Sequence, residues 1–214
     1  MMMITNQKRE AAVVKETGRI EAFSDGVFAV AITLLVFGLK VPPLSPKTFS
    51  VGGLAIALSK EWPSYLTFIT SFATILIMWL SHHGIFKLVH RSDSPFLFAN
   101  GFLLLLVTLV PFPTSLMAQY LTTPVAAVTC AIYSGVFVVI NVAYNLLWWS
   151  AAHRHRLLNP GVSPAQVKSL TRKILIGFPL YLLATLLAFW NPYVSLGICS
   201  VLWIFWAFSF YERY

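Results

Sequence analysis

Six apolar stretches, each close to the roughly 20 residues that a helix needs to cross a bilayer, divide this chain between short polar breaks. They cover about 19–39, 62–88, 96–118, 125–152, 170–190 and 193–211, and the uninterrupted apolar part of the first begins at Phe23. The breaks are marked by helix-ending residues: Pro42-Pro43, the polar run from His90 to Pro95, Thr122-Thr123-Pro124, Asn159-Pro160-Gly161 and Asn191-Pro192. Such a pattern predicts an all-α, polytopic membrane protein with six transmembrane helices in a single domain, 1–214. Composition agrees. Charged residues make up 10% of the chain, hydrophobic residues 58%, and the mean hydropathy is +0.77. A soluble domain carries about 25% charge, so this chain cannot cover a water-facing surface, whereas a lipid-facing surface needs no such cover.

The net charge of +8 does not point to nucleic acid. Its Lys and Arg residues sit in short clusters between apolar runs, with no basic stripe interleaved with aromatics. They fix orientation instead. With the N-terminus in the cytoplasm and six spans threaded, the inner side holds Lys8, Arg9, Lys15, Arg19, Lys87, Arg91, Arg154, Arg156, Lys168, Arg172, Lys173 and Arg213, twelve in all. The outer side holds three: Lys40, Lys47 and Lys60. Both termini are therefore expected in the cytoplasm. Residues 1–22 are polar and mixed in charge, and the apolar run after them ends without a small-residue cleavage site, so the first helix is read as retained. Residues 44–60 fall outside the membrane, and their apolar piece around Val51 to Leu58 is too short to cross; it reads as an interfacial helix or a re-entrant segment. Cys130 and Cys199 lie inside apolar runs and read as small buried residues without a disulfide. Trp62, Tyr65, Trp148, Trp149, Trp190 and Tyr193 stand near span ends, where interfacial aromatic belts form.

The first helix carries the unusual chemistry. In Arg19-Ile20-Glu21-Ala22-Phe23-Ser24-Asp25-Gly26 an arginine and two acids lead directly into the apolar run. About fourteen uncharged residues follow Asp25, roughly 21 Å of helix against a hydrocarbon core of about 30 Å. Asp25 is thus read in one of two ways: as a helix cap, or as an intramembrane acid with a partner. Partners stand at the same depth. Trp79, His82 and His83 end the second span, and Asn100 lies near the inner end of the third. The adjacent histidines point about 100° apart on a helix, so they do not readily share one metal ion. On the same first helix Phe23, Val27, Val30, Leu34 and Phe37 form an apolar seam with heptad-like spacing, Thr33 flanks it, and Asp25 falls on the opposite side. Such a seam packs against neighbours or lipid, or it meets copies of itself around a symmetry axis and gates a pore by dewetting.

Arg19-x-x-x-Phe23-Ser24-Asp25-Gly26, followed by Val-Phe-Ala-Val-Ala-Ile-Thr-Leu-Leu-Val, resembles the signature first helix of the transmembrane protein 175 family, named for the endosomal and lysosomal potassium channel. The likeness extends to Trp79-Leu-Ser-His82-His83 and to Asn100 with Pro111-Phe-Pro-Thr114, and so touches the first three spans. It implies a symmetric homotetramer, as in the single-unit prokaryotic members, in a cell membrane. It implies passive potassium conduction through a pore lined by the first helix. Carried over by position, Val30, Leu34 and Phe37 become constriction rings and Thr33 the hydroxyl tied to selectivity. Arg19, Phe23, Ser24, Asp25, Trp79, His83 and Asn100 become the network that anchors the first helix. Val30 is smaller than the isoleucine or leucine usual in the family, and Phe37 larger than the usual leucine, which leaves open which ring is narrowest. The resemblance implies no cofactor and no bound metal beyond potassium ions in transit.

Three other classes fit less well. A pore-loop channel needs Thr-Val-Gly-Tyr-Gly, which Ser50-Val51-Gly52-Gly53 does not supply. A proton-coupled or other secondary transporter would use the layer of Asp25 and His83, but no inverted repeat accompanies it. An enzyme is not expected, since nucleophile, histidine and acid converge nowhere outside that layer. His153-Arg154-His155-Arg156 reads as a topology signal rather than a metal site.

Overall fold

The fold was obtained as a computed structural model, which describes the backbone of residues 2–211 and the side chains of residues 17–208. It is all-helical, and no strand occurs among the described residues. The helices are α1 (Met2–Leu34), α2 (Val51–Lys60), α3 (Trp62–Phe86), α4 (Ser94–Leu109), α5 (Pro111–Tyr120), α6 (Ala126–Ala152), α7 (Pro164–Leu187) and α8 (Pro192–Tyr211). A 3-10 turn, Leu35–Gly38, extends α1, and another, His153–His155, extends α6. Five segments are long and apolar enough to cross a membrane: Thr17–Gly38, Trp62–Phe86, Ser94–Tyr120, Ala126–His155 and Pro164–Leu187. A sixth apolar helix, α8, follows; its described side chains span the shorter stretch Pro192–Phe208.

Local sequence explains where these helices start. Pro63, Pro95, Pro111, Pro164 and Pro192 all stand in first turns, where a missing N–H costs nothing. The Asp93 side chain caps α4 by accepting from the Phe96 amide at 3.0 Å. Ser163 and Gln166 form a reciprocal capping box at the start of α7. Pro111 and Pro113 divide the third membrane segment at Val110 into α4 and α5. The piece read as interfacial or re-entrant is the ten-residue α2, exposed along nearly its whole length.

α6 is the central helix, packed against α4, α5, α7 and α8. Among the described residues α1 packs chiefly against α3 and α4, with a smaller contact to α5. Buried polar pairs stitch the bundle together. The Ser71 hydroxyl meets Thr114 Oγ1 at 2.8 Å and Tyr133 Oη at 3.0 Å. Tyr144 donates to the Met78 carbonyl at 2.6 Å. Asn141 donates to the Ile174 carbonyl at 3.1 Å, and Trp148 donates to Thr171 Oγ1 at 2.8 Å. Such interhelical bonds contribute on average about 0.6 kcal/mol each in membrane proteins. α6 and α7 approach closely at Gly177, where any Cβ would collide with the Asn141 amide. Cys130 and Cys199 are both buried and free.

At the end of the bundle that carries the α3–α4 and α6–α7 turns, the two turns are latched. His90 N–H donates to Leu157 O at 2.8 Å and Asn159 N–H to Leu88 O at 2.9 Å. Arg156 Nη2 pairs with Asp93 Oδ2 at 2.7 Å. The chain reaches this latch through two consecutive residues with left-handed backbone, Arg154 (φ 55°) and His155 (φ 54°).

Candidate functional site

Asp25 lies in the middle of α1, not at its start, so it does not cap the helix. Its Oδ1 accepts a hydrogen bond from the Trp79 indole N–H on α3 at 2.7 Å. One turn earlier, Glu21 Oε1 accepts from His83 Nδ1 at 2.6 Å. The Trp79 and His83 rings stack on each other, 17° from parallel. These two acids, four residues apart on α1, hold two neighbouring aromatic donors on α3.

A second chain of bonds ties α1, α3 and α4 together in the dry interior. Ser24 and His82 are fully buried, and Asn100 is nearly so. Ser24 Oγ donates to the Ile20 carbonyl at 2.8 Å, the Asn100 amide donates to Ser24 Oγ at 3.0 Å, and Asn100 Oδ1 faces His82 Nε2 at 2.8 Å. Followed in that order, the donors assign the proton of His82 to Nε2, because Asn100 Oδ1 has only acceptor capacity. Phe28 and Phe86 flank the histidine, and Phe96 packs in turn on Phe86. The two adjacent histidines therefore serve two helices, His82 reaching α4 and His83 reaching α1.

Of the residues singled out in the sequence, Ser24, Asp25, Trp79, His83 and Asn100 meet in this layer. Arg19 and Phe23 do not. Both are exposed, Phe23 to 67%, and they lie on the far side of α1 from Ser24 and Asp25. The resemblance grouped these two with the anchor, and within one subunit they stand apart from it. Glu21 and His82 belong to the layer although the resemblance did not name them as anchors. For Glu21 a signal exists: it precedes Asp25 by four residues, the spacing that puts two side chains on one face.

The other face of α1 is bare. Val30 is 54% exposed, Leu34 39% and Phe37 80%, and Thr33 is exposed beside them. Val27, read as part of the same seam, is half-buried against the core instead. The buried seam of α1 runs one position on: Ser24, Phe28, Ala31 and Leu35, all fully or almost fully covered. The Thr33 hydroxyl donates to the Val30 carbonyl at 2.9 Å, which leaves its oxygen lone pairs facing outward. Beyond this face, Lys40 Nζ donates to Gln119 Oε1 at 3.1 Å, and Gly38 packs against Ser115 of α5.

A family model described as the endosomal/lysosomal potassium channel TMEM175 matches residues 19–111, the stretch from Arg19 of α1 to the start of α5. A potassium channel of Chamaesiphon minutus is 50% identical over 198 residues, which span 92% of this chain and 97% of that relative. The chain belongs to the TMEM175 family. A second relative, a potassium channel of Streptomyces collinus, is 39% identical over 92% of this chain and 94% of its own length. Among TMEM175 structures, the crystal structure of a lysosomal potassium-selective channel homologue from Chamaesiphon minutus superposes with a TM-score of 0.82. That likeness carries 48% identity and covers 92% of this chain and 98% of the other. The part of the chain that the TMEM175 model matches contains every residue of the polar layer and the whole bare face of α1.

Proposed function

We propose that four copies of this chain assemble around a fourfold axis into a potassium-preferring channel of the cell membrane, with α1 innermost and both termini cytoplasmic. The two-sidedness of α1 carries this reading. One side is tied to α3 and α4 by hydrogen bonds, while on the other Val30, Thr33, Leu34 and Phe37 are left exposed among the described residues. Repeated by symmetry, Val30, Leu34 and Phe37 form apolar rings that close by dewetting, and a ring of Thr33 oxygens replaces part of the ion's water shell. Relatives described as potassium channels support the choice of ion. The excess of Lys and Arg at the α3–α4 and α6–α7 turns supports the orientation.

The test uses purified protein in liposomes. Native mass spectrometry is expected to give a tetramer, and a potassium gradient to drive passive flux. Cysteines introduced as Val30→Cys and Phe37→Cys are expected to make that flux sensitive to a water-soluble thiol reagent; the two native cysteines are buried and give little background. Flux that ignores modification at both positions would remove the pore from α1. A transporter working through Asp25 and His83 has less support, since Trp79 and Glu21 already engage these groups and the layer occupies one end of the membrane-spanning part of α1. A reversal potential that follows the proton gradient would favour it.

A further inference from the structure

A groove of about 610 Å³ lies between α6 and α7 at the end that carries the latched turns. We infer that this groove seats one anionic phospholipid of the cytoplasmic leaflet, its acyl chain along α6 and α7 and its phosphate on the basic side chains at the groove's end; this rests on the orientation proposed above. The walls are Val142, Leu146 and Trp149 of α6 with Leu175 and Phe178 of α7, all exposed. A large apolar face between two membrane helices suits a hydrocarbon chain. Its floor is fixed by the Trp148–Thr171 hydrogen bond, so the groove is part of the helix pairing and not a gap left by a loose side chain.

The polar end of the groove carries basic side chains that no described carboxylate neutralises. His153 packs on Trp149 there, and Arg154 follows immediately, turned by its left-handed backbone. Lys168, next to the lining residue Val167, and Arg172, next to Thr171, are exposed on the first turns of α7. Among the described residues the carboxylates are Glu21, Asp25, Glu61 and Asp93, and each already has a partner: His83, Trp79, Ser64 and Arg156 respectively. No described acid is left for Arg154, Lys168 or Arg172. An anionic headgroup supplies the missing charge at the depth where Trp149 and the basic residues mark the interface, as in other basic pockets between membrane helices.

Purified channel from vesicles of phosphatidylcholine and phosphatidylglycerol, 3:1, is examined by native mass spectrometry, with potassium flux read from the same vesicles. About one phosphatidylglycerol per chain is expected to survive, in preference to phosphatidylcholine. The double variant R154Q/K168Q is expected to weaken retention about tenfold or more, with flux intact, and R154K/K168R to restore it. Excess inorganic phosphate is expected not to displace the lipid. Equal retention by the R154Q/K168Q protein, indifference to headgroup charge, or displacement by free phosphate would each overturn the site. Flux without selective retention would sink the lipid site and leave the channel standing. Retention without flux would do the reverse.

Discussion

The indole of Trp79 donates to the carboxylate of Asp25 at 2.7 Å, joining α3 to the middle of α1. An acid placed inside a membrane bundle is costly unless something satisfies it, and here a single neutral donor does so without adding charge. Asp25 thus stays on the side of α1 that faces its own subunit, and among the described residues the opposite side carries no acidic group.

Replacing Trp79 by Phe keeps the apolar bulk and removes the donor. The stranded carboxylate is expected to destabilise the subunit by about 2 kcal/mol. Asp25→Asn, which keeps an acceptor, is expected to cost less. Thermal unfolding in detergent, followed by loss of the oligomer peak on size exclusion, measures both; equal stability of wild type and Trp79→Phe would deny the bond a structural role.

Size changes on the bare face are expected to act on conduction and leave stability alone. Phe37→Ala should raise unitary conductance several-fold if that ring is narrowest, and Val30→Phe should lower it. Thr33→Val should reduce the preference for potassium over sodium. Planar-bilayer recordings in bi-ionic solutions read all three, and unaltered currents throughout would place the permeation path elsewhere.

Gly177→Ala brings a methyl group into the Asn141 amide where α6 and α7 cross. Overpacking at such a site costs about 1–3 kcal/mol, read as a lower midpoint of thermal unfolding. An alanine protein as stable as wild type would mean that the helices part there at no cost.

Asp93 has two roles, as cap of α4 and as partner of Arg156. Arg156→Gln removes an ion pair whose arginine is half-exposed, worth about 0.5 kcal/mol, together with a long 3.4 Å hydrogen bond from Arg156 Nη2 to the Ser150 carbonyl. Asp93→Ala also removes the cap, worth about 1 kcal/mol more. The difference between the two variants in urea or thermal titrations, and its sign, tests this division of labour.

Membrane class, helical segments and the depth of the polar layer were legible in the sequence, because hydropathy and proline punctuation act locally. Rotation about each helix axis was not. Phe23, Val30, Leu34, Phe37 and Ser24, Phe28, Ala31, Leu35 are two interleaved series of the same period, and only packing decides which turns inward; Ser24 and the small Ala31 let α1 approach α3 and α4, so the second series is covered. The division of the two histidines is of the same kind. Both stand at the right level, but assigning His82 to Asn100 and His83 to Glu21 requires the azimuth of α3. Val110, where α4 gives way to α5, shows the opposite case, since Pro111 and Pro113 announce the break in the chain itself.

Hydrogen bonds from Glu21, Ser24 and Asp25 fasten α1 to α3 and α4, while Phe28, Ala31 and Leu35 beyond them rest on apolar packing. The membrane-spanning part of α1, Thr17–Gly38, is therefore pinned like a lever near one of its ends. Phe37 stands twelve residues beyond Asp25, about 18 Å along the axis at 1.5 Å per residue. A tilt of about 5° about that fulcrum carries the Phe37 ring sideways by about 1.6 Å while barely disturbing the indole–carboxylate bond.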